Sequence, residues 1–200
     1  MSATAINLRS LSDLAEVKLG YSVRTRGANL TEGPVRVIQP RTIEAGPHIN
    51  LLNCDYTNPD DINPLHFLQA NDLVFRTRGS RFEAAIYRHD NVATVAASPL
   101  VVVRVKHPGL QPDYLAWYLN NDPETRRHID RNTVTRTIPS LKGSVIAAIP
   151  VAVPPVEVQN RVLETAALGT QQQELLRRLL ILNEKHINAA LGEAVRRLNA

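Results

Sequence analysis

The residues of this chain best suited to chemistry are arginines that stand beside threonine, serine and glycine. Three segments share this composition: 20–27 (GYSVRTRG), 75–81 (FRTRGSR) and 131–143 (RNTVTRTIPSLKG). Arginine pairs with phosphate or with the two acceptors of guanine, hydroxyls and backbone amides donate to phosphate, and glycine lets a backbone come close. One such segment is usually a solvated loop, whereas three in one chain predict a nucleic-acid-binding surface.

The distribution of charge supports that prediction better than the net value does. The chain has 23 Lys and Arg against 19 Asp and Glu, a formal charge of +4. An arginine-biased genome explains the excess of arginine over lysine as well as function does. However, residues 21–41 hold four arginines against one acid, 131–155 hold three cations and no acid, and 42–72 hold five acids and no cation. Such segregation suits a protein with one face on a polyanion.

Catalytic motifs are represented only by weak lookalikes. Asp13, Glu16 and Lys18 resemble a metal-dependent nuclease triad, but the aspartate stands too close to the Glu-x-Lys pair and is better explained as a helix-terminal charge. Residues 153–156 (VPPV) resemble the proline pair of amino-methyltransferases without the Asp or Asn that holds the target amine, so we interpret them as a rigid linker. A phosphate-binding P-loop motif is absent. We therefore expect no catalytic residues and no enzyme activity.

Metal and cofactor sites are not expected either. His48, Cys54 and His66 share one stretch, but their spacing follows no metal-binding motif. The single cysteine cannot form an internal disulfide, and no base stands near it in sequence to mark it as a nucleophile. The sequence predicts a protein without a metal ion or cofactor.

Composition predicts a folded protein outside the membrane. Hydrophobic residues make up 44% of the 200 residues, enough for a core. No run of eighteen apolar residues occurs, so we expect no transmembrane helix. The first residues (MSATA) show no basic region followed by an apolar one, so we expect no secretory signal and a cytoplasmic location.

The elements that must position the arginines divide at Pro154-Pro155. Residues 1–155 predict an α+β domain, a mixed α/β unit with a curved, partly open sheet and an irregular stretch over 40–66. Its expected helices are Leu8–Val17, Pro112–Leu119 and Glu124–Ile129. Its expected strands are Pro34–Ile38, Asp72–Phe75, Ala84–Tyr87, Val92–Val95, Leu100–Val105 and Val145–Ile149, with Leu100–Val105 as a buried central strand.

Residues 156–200 predict a long helix of coiled-coil type. Steps of four and three residues join the members of an apolar seam with one polar residue, namely Leu176, Leu180, Asn183, Ile187, Ala190 and Ala194. A helix from Val156 to about Leu198 is about 65 Å long, which a domain of this size cannot cover, so we expect a partner helix. The alternative is a hairpin broken near Gly169 that folds back on the domain.

The order of motifs resembles the specificity (S) subunit of type I restriction–modification systems, over one target-recognition domain and one spacer helix. The matching segments span nearly the whole chain: 11–20, 68–79, 112–115, 138–142 and 149–159. Two positions depart from the family pattern, with Asn71 where glycine is common and Val158 where glutamate is common. The length departs as well, because family members usually carry two recognition domains and two helices.

The resemblance implies a non-catalytic half-subunit for DNA recognition in a phage-defence system. Two copies would pair their helices antiparallel and read a bipartite site in double-stranded DNA. A methyltransferase (modification) subunit would dock on them and methylate adenine, and a motor-nuclease subunit would cut unmodified DNA. The domains would be 1–155 for recognition and 156–200 for spacing and dimerisation.

Position within the matched motifs also implies which side chains contact DNA. These are Arg24, Arg26, Arg76, Arg78, Arg81, Thr135, Arg136 and Lys142. Leu176, Leu180, Asn183 and Ile187 would pair the helices. Tyr114, Trp117 and Tyr118 could stack on bases, but their helical spacing favours the core.

Two other classes of function stay open from the sequence. The first is a protein-interaction adaptor of a DNA-defence complex, whose long helix docks an enzyme while the domain binds DNA weakly or not at all. The second is a standalone nuclease, which would require cleavage with a divalent metal and no partner.

Overall fold

The computed structural model describes residues 8–22, 30–43, 48–58, 62–88, 90–134 and 137–198. The chain forms two compact units, Met1–Gln159 and Asn160–Ala200. In chain order the described elements are β1 (Leu8–Ser10), α1 (Leu11–Leu14), β2 (Ala15–Leu19), β3 (Val35–Ile38), β4 (Asp55–Thr57), β5 (Leu73–Arg76), β6 (Ala84–Ile86), β7 (Thr94–Ala96), β8 (Leu100–Val105), α2 (Pro112–Asn121), α3 (Pro123–Asn132), α4 (Gly143–Ala147), β9 (Pro150–Ala152) and α5 (Val156–Leu198).

The main sheet has the strand order β2-β8-β5-β6, and each neighbouring pair is antiparallel. The central position of β8 confirms the prediction from its run of apolar, mostly β-branched residues, because such a run suits a strand covered on both faces. Leu100, Val101 and Val103 are fully buried in it.

A second sheet, ordered β4-β3-β7, pairs β3 antiparallel with β4 and parallel with β7. The core joins the two sheets: Val74 and Val102 of the main sheet share one cluster with Ile38 of β3 and Ala96 of β7. The short strands β1 and β9 pair with each other. The expected α+β class with open sheets is confirmed, and its β structure divides among separate sheets.

Helices α2 and α3 confirm the two predictions made from proline and helical spacing. Each has proline in its first turn, where the missing amide hydrogen costs nothing. Helix α2 packs on β6, and the Asn120 side chain both donates to the Ala84 carbonyl and accepts from the Ala84 amide, at 2.8 Å each. Helix α2 therefore covers the edge strand β6 of the main sheet.

The predicted helix over Leu8–Val17 is wrong. Only one helical turn, α1, occurs there, and it supplies the apolar spacing of Leu11 and Leu14 that suggested a longer helix. The flanking residues are strands because Leu8–Ser10 pairs with β9 and Ala15–Leu19 pairs with β8 along its whole length. Tertiary pairing therefore overrides the local helical pattern.

The predicted strand over Val145–Ile149 is also wrong. Short apolar runs do not distinguish strand from helix by spacing, and this one forms α4, which buries Ile146. Pro150 begins β9 instead of ending a strand, as the first residue of a strand can be proline. The stretch 40–66, expected to be irregular, contains β4 and 3-10 turns at Pro40–Thr42, Leu51–Asn53 and Pro64–His66.

Helix α5 confirms the expected long C-terminal helix. Its beginning is fixed by the fully buried Gln159, whose side chain accepts from the Gln111 amide at 2.9 Å and donates to the carbonyls of Gly109 and Pro154 at 2.7 and 2.8 Å. The helix continues through Gly169, so the hairpin alternative does not hold. Across the part of the chain that the structure describes, none of the helices combines the length and hydrophobicity of a membrane span.

Gly20 marks a close approach of two backbones, and we predict that Gly20→Ala lowers the free energy of unfolding of the first unit by about 2 kcal/mol. A Cβ at Gly20 would lie 2.6 Å from the Ala96 oxygen and 2.8 Å from the Ala97 carbonyl carbon, both backbone atoms. Urea unfolding followed by the fluorescence of Trp117, the single tryptophan, measures the change.

The control is Gly169→Ala on α5, where a Cβ meets no atom within 4 Å. It should leave the Trp117 transition in place. Equal transitions for Gly20→Ala and the unmodified chain would contradict the close approach.

Candidate nucleic-acid interface

One end of the main sheet gathers the segments that carry arginine. The registers place Leu19 at the end of β2, Leu100 at the start of β8, Arg76 at the end of β5 and Ala84 at the start of β6 side by side. Residues that follow β2, link β5 to β6 and precede β8 therefore all leave the sheet at this end, which we call the loop end.

The second arginine segment is tied to the third by backbone hydrogen bonds at the loop end. The Gly79 amide donates to the Pro139 carbonyl at 3.0 Å, and the Leu141 amide donates to the Thr77 carbonyl at 2.9 Å. Ser140 bridges to both Arg78 and Val134. Segments about 60 residues apart in sequence thus form one continuous surface.

Lys142 extends this surface toward β2. It precedes α4, which packs on β2, and a Cβ at Gly143 would meet the Leu19 side chain at 3.6 Å. A cavity of about 350 Å³ lies between them, lined by Val17, Lys18, Leu19, Val101, Lys142, Gly143, Ser144 and Ala147. The loop after β2, the first arginine segment, starts beside this cavity with Gly20.

A wider cleft separates the β5–β6 loop from α3. Its volume is about 490 Å³, and its lining is polar with cationic and acidic members: Gly79, Ser80, Arg81, Phe82, Glu83, Arg126, Ile129, Asp130, Thr133 and Pro139. Arg126 holds the two walls together by donating to the carbonyls of Phe82 and Asn120, each at 2.8 Å. Arginine donors beside carboxylate acceptors can meet both donors and acceptors on base edges.

Arg78, Arg81 and Lys142 are exposed, and none of them forms an ion pair within the described residues. Arg131 at the end of α3 shares both properties. A cation that keeps its charge and its hydrogen-bond donors free can release counterions when it meets a phosphate. The loop end therefore presents a surface of unneutralised positive charge.

Most of the described arginines elsewhere in the first unit are paired with acids, whereas Arg9 donates to the backbone carbonyl of Asp13. Arg36 pairs with Asp90, Arg41 with Asp55, Arg88 with Asp113 and Arg104 with Asp72. Two of these acids, Asp55 and Asp72, belong to the acidic stretch 42–72. Part of the charge segregation seen along the sequence is thus cancelled inside the fold, and the loop end is distinguished by cations that lack such partners.

Arg76 has a different position from its neighbours. Its side chain is half-buried and donates to the backbone carbonyl of Ile43, and burial lowers the pKa of the guanidinium below its usual value. This contact ties β5 to the turn after β3. The structure therefore gives Arg76 an internal contact, whereas Arg78 and Arg81 point to solvent.

Gly79 determines the turn between Arg78 and Ser80. Its φ of +106° lies in the left-handed region that side chains rarely adopt. The glycine of the second segment thus allows the turn that presents both arginines, as its place in the motif suggested.

Four of the expected contact residues lie outside the described residues: Arg24, Arg26, Thr135 and Arg136. The first segment begins at described residues of the loop end, where Tyr21 bridges to Ala97, and the third has described residues on both sides, where Val134 bridges to Ser140. The sequence interpretation missed Arg126 and Asp130 of α3, although the run RRHIDR carries the charge that could have indicated them. Arg131 begins the third arginine segment but was not among the expected contact residues.

The aromatic residues of α2 belong to the core. Tyr114 and Tyr118 are buried with ring centroids 5.8 Å apart, and Trp117 packs against Tyr114. Burial and the neighbouring Tyr118 and Asp122 raise the pKa of Tyr114 to about 12. These rings are held by packing, so the core interpretation of their spacing is confirmed.

Metal and nucleophile candidates are not brought together. Within the described residues, no group of three or more His, Cys, Asp or Glu side chains is placed to hold a metal ion. Glu16, from the nuclease-like triplet, pairs with Lys18 at 2.8 Å and Lys106 at 3.5 Å. Cys54 is buried in the core cluster between the sheets.

Three solved structures share this fold. One is a chain from a study of complex assembly and conformational transition of the type I R-M system (TM-score 0.63, 16% identity, covering 89% of this chain and 42% of that one). Another is the HsdS subunit from Thermoanaerobacter tengcongensis (TM-score 0.63, 17% identity, covering 89% of this chain and 41% of that one). The third is the type I restriction-modification system S subunit from M. genitalium (TM-score 0.53, 16% identity, covering 92% of this chain and 45% of that one).

The structural neighbours of this chain are type I specificity subunits. The resemblance inferred from the motifs is therefore confirmed as a likeness of fold. The chain spans less than half of the length of each of these three chains. No protein-family model matches the sequence, and no curated protein matches it either.

Cys54 supplies a test of the core between the sheets. Burial raises the pKa of its thiol, so less thiolate is present at any given pH, and the side chain is only 8% exposed. We expect iodoacetamide at pH 8 to alkylate the folded chain at least about tenfold more slowly than free cysteine. Urea should remove the difference, and a folded chain as reactive as free cysteine would contradict this core.

Proposed function

We propose that this chain is the non-catalytic DNA specificity subunit of a type I restriction–modification system, reading one half of a bipartite site. The observation that carries the proposal is the loop end, a surface built from segments far apart in sequence. There Arg78, Arg81 and Lys142 are exposed and have no ion-pair partner among the residues that the structure describes. Donors and acceptors on base edges specify sequence, and cations on phosphates supply affinity. The loop end has exposed cations that can contact phosphates, and its cleft has arginine and carboxylate groups that can contact base edges.

The remaining partners follow from the same likeness of fold. We propose that a methyltransferase subunit supplies the chemistry, because the structural neighbours of this chain belong to type I restriction–modification systems. A second copy of this chain would supply the second half-site through α5, whose seam residues Leu176, Leu180, Asn183 and Ile187 are exposed.

We predict that the full chain binds duplex DNA with an affinity that falls steeply as salt rises, and that Arg78→Ala reduces it. Loss of a phosphate contact should lower the slope of log affinity against log salt by about 1 on every sequence. Loss of a base contact should cost about tenfold or more on a selected site and less on random duplex. Fluorescence anisotropy at several salt concentrations, after site selection, measures both.

The matched control is Arg88→Ala. Arg88 is an exposed arginine that follows β6 at the opposite end of the sheet and pairs with Asp113. Arg88→Ala removes the same charge as Arg78→Ala does, but it does so away from the loop end. We therefore expect it to leave the salt slope and the specific affinity nearly unchanged. If Arg78→Ala and Arg88→Ala act alike, the loop end is not the interface.

The adaptor function is the second candidate, favoured by the exposed leucines of α5. Its mark would be a chain that binds a methyltransferase subunit but shows no salt-dependent DNA affinity, alone or in that complex. Cleavage of DNA by the isolated chain with Mg²⁺ would instead indicate the nuclease alternative.

A further inference from the structure

Helix α5 presents large apolar side chains that its own chain leaves uncovered. Leu176, Leu180 and Ile187 are 52%, 64% and 48% exposed. In heptad terms Leu176, Asn183 and Ala190 occupy one core position (d), and Leu180, Ile187 and Ala194 occupy the other (a). Exposed apolar surface on this scale is typical of an interface.

The flanking charges carry the information about orientation. Arg177 and Glu184 each follow a d residue by one position, which places them at the edge of the seam (position e). Both are exposed, and neither forms an ion pair within the described chain. By contrast, Arg178 pairs with Glu174 at 2.8 Å on the outer side of the same helix. The two edge charges are thus available to a partner helix.

In an antiparallel helix pair, residues at e face residues at e of the other helix, and these charges select the register. When Leu176 lies beside Ile187 of the second copy, Arg177 faces Glu184, and the twofold axis creates this ion pair twice. Sliding one helix by a heptad in one direction places Glu184 opposite Glu184, and sliding it in the other places Arg177 opposite Arg177. Like charges at such sites repel.

A parallel pair gains no ion pair from Arg177 and Glu184. There, position e meets position g of the other helix, so Arg177 meets Gln172 and Glu184 meets Leu179. No ion pair forms across the seam. The four charges that form two ion pairs in one antiparallel register therefore have no oppositely charged partner in the parallel arrangement.

We propose that two copies of α5 pair antiparallel in the register that places Leu176 beside Ile187 and Leu180 beside Asn183, with Arg177 and Glu184 in two symmetric ion pairs. The proposal rests on the half-subunit function and specifies its dimer. The twofold axis then passes between Ile181 and Leu182. The start of each helix at Val156 lies about 38 Å from that axis at 1.5 Å per residue.

Cysteine cross-linking of the full chain tests the register. In a Cys54→Ala background, Leu176→Cys and Ile187→Cys are placed on separate chains that differ in tag and then mixed. A short bifunctional maleimide should join the two chains in the mixture and join neither variant to itself. One heptad is about 10.5 Å of helix, so the reagent resolves neighbouring registers.

Other outcomes would overturn the proposal. Self-linking of Leu176→Cys alone indicates a parallel pair. Linking of Leu176→Cys to Leu180→Cys, or to Ala194→Cys, indicates an antiparallel pair displaced by one heptad. A chain that stays monomeric in light scattering, with no link in any mixture, excludes self-pairing.

Charge exchange tests the ion pairs themselves. Arg177→Glu and Glu184→Arg should each raise the dimer dissociation constant about tenfold, because each creates two like-charge contacts. The double variant Arg177→Glu/Glu184→Arg should restore the original value. Lys185→Glu, an outer-face change of the same size, is the matched control and should have little effect. Additive losses in the double variant would contradict the pairing.

The two proposals fail separately in these experiments. If the cross-links form as expected but the chain shows no salt-dependent DNA affinity, the register stands and the DNA-reading function is wrong. If DNA binding depends on Arg78 but the cross-links indicate another register, only the dimer geometry is wrong.

Discussion

The pairing of β8 with β2 on one side and with β5 on the other is the constraint on which the candidate interface depends. Antiparallel registers fix which strand ends coincide, so Leu19, Leu100 and Arg76 must share one end of the sheet. Loops that leave that end lie together whatever their sequence separation. The buried apolar run of β8 is therefore the reason that distant arginine segments meet.

Arginine has two different roles in the first unit: some arginines pair with acids inside the fold, and others are exposed at the loop end. Arg36 and Arg104 are largely buried and each lies beside an acid, because an unpaired charge in a low-dielectric core is costly. The Arg104 guanidinium donates to both oxygens of the buried Asp72 at 2.8 and 2.6 Å. At the loop end Arg78, Arg81 and Lys142 are exposed and have no ion-pair partner among the described residues, which costs the fold little and leaves them available to a polyanion.

The sequence predicted most of the described elements, including the short strands β3, β5, β6 and β7, and was wrong at two short segments. Strand β8 and helices α2, α3 and α5 were predictable because composition, proline position and spacing agree over many residues. Leu8–Val17 and Val145–Ile149 were not, because a single turn or a five-residue apolar run takes its structure from the strand it packs on. Composition likewise located the second and third arginine segments, but only the fold reveals that Arg76 turns inward to Ile43.

In helix α5, different interactions determine the affinity of the helix pair and its orientation and register. Burial of leucine stabilises any close pairing in proportion to the area covered, and it has little dependence on direction. A seam of Leu176, Leu180 and Ile187 thus favours association without selecting an orientation. Charges at the seam edge depend strongly on alignment, so Arg177 and Glu184 can distinguish registers that the leucines alone would leave close in energy. Apolar area supplies the affinity of such a pair, and two modest ion pairs determine its geometry.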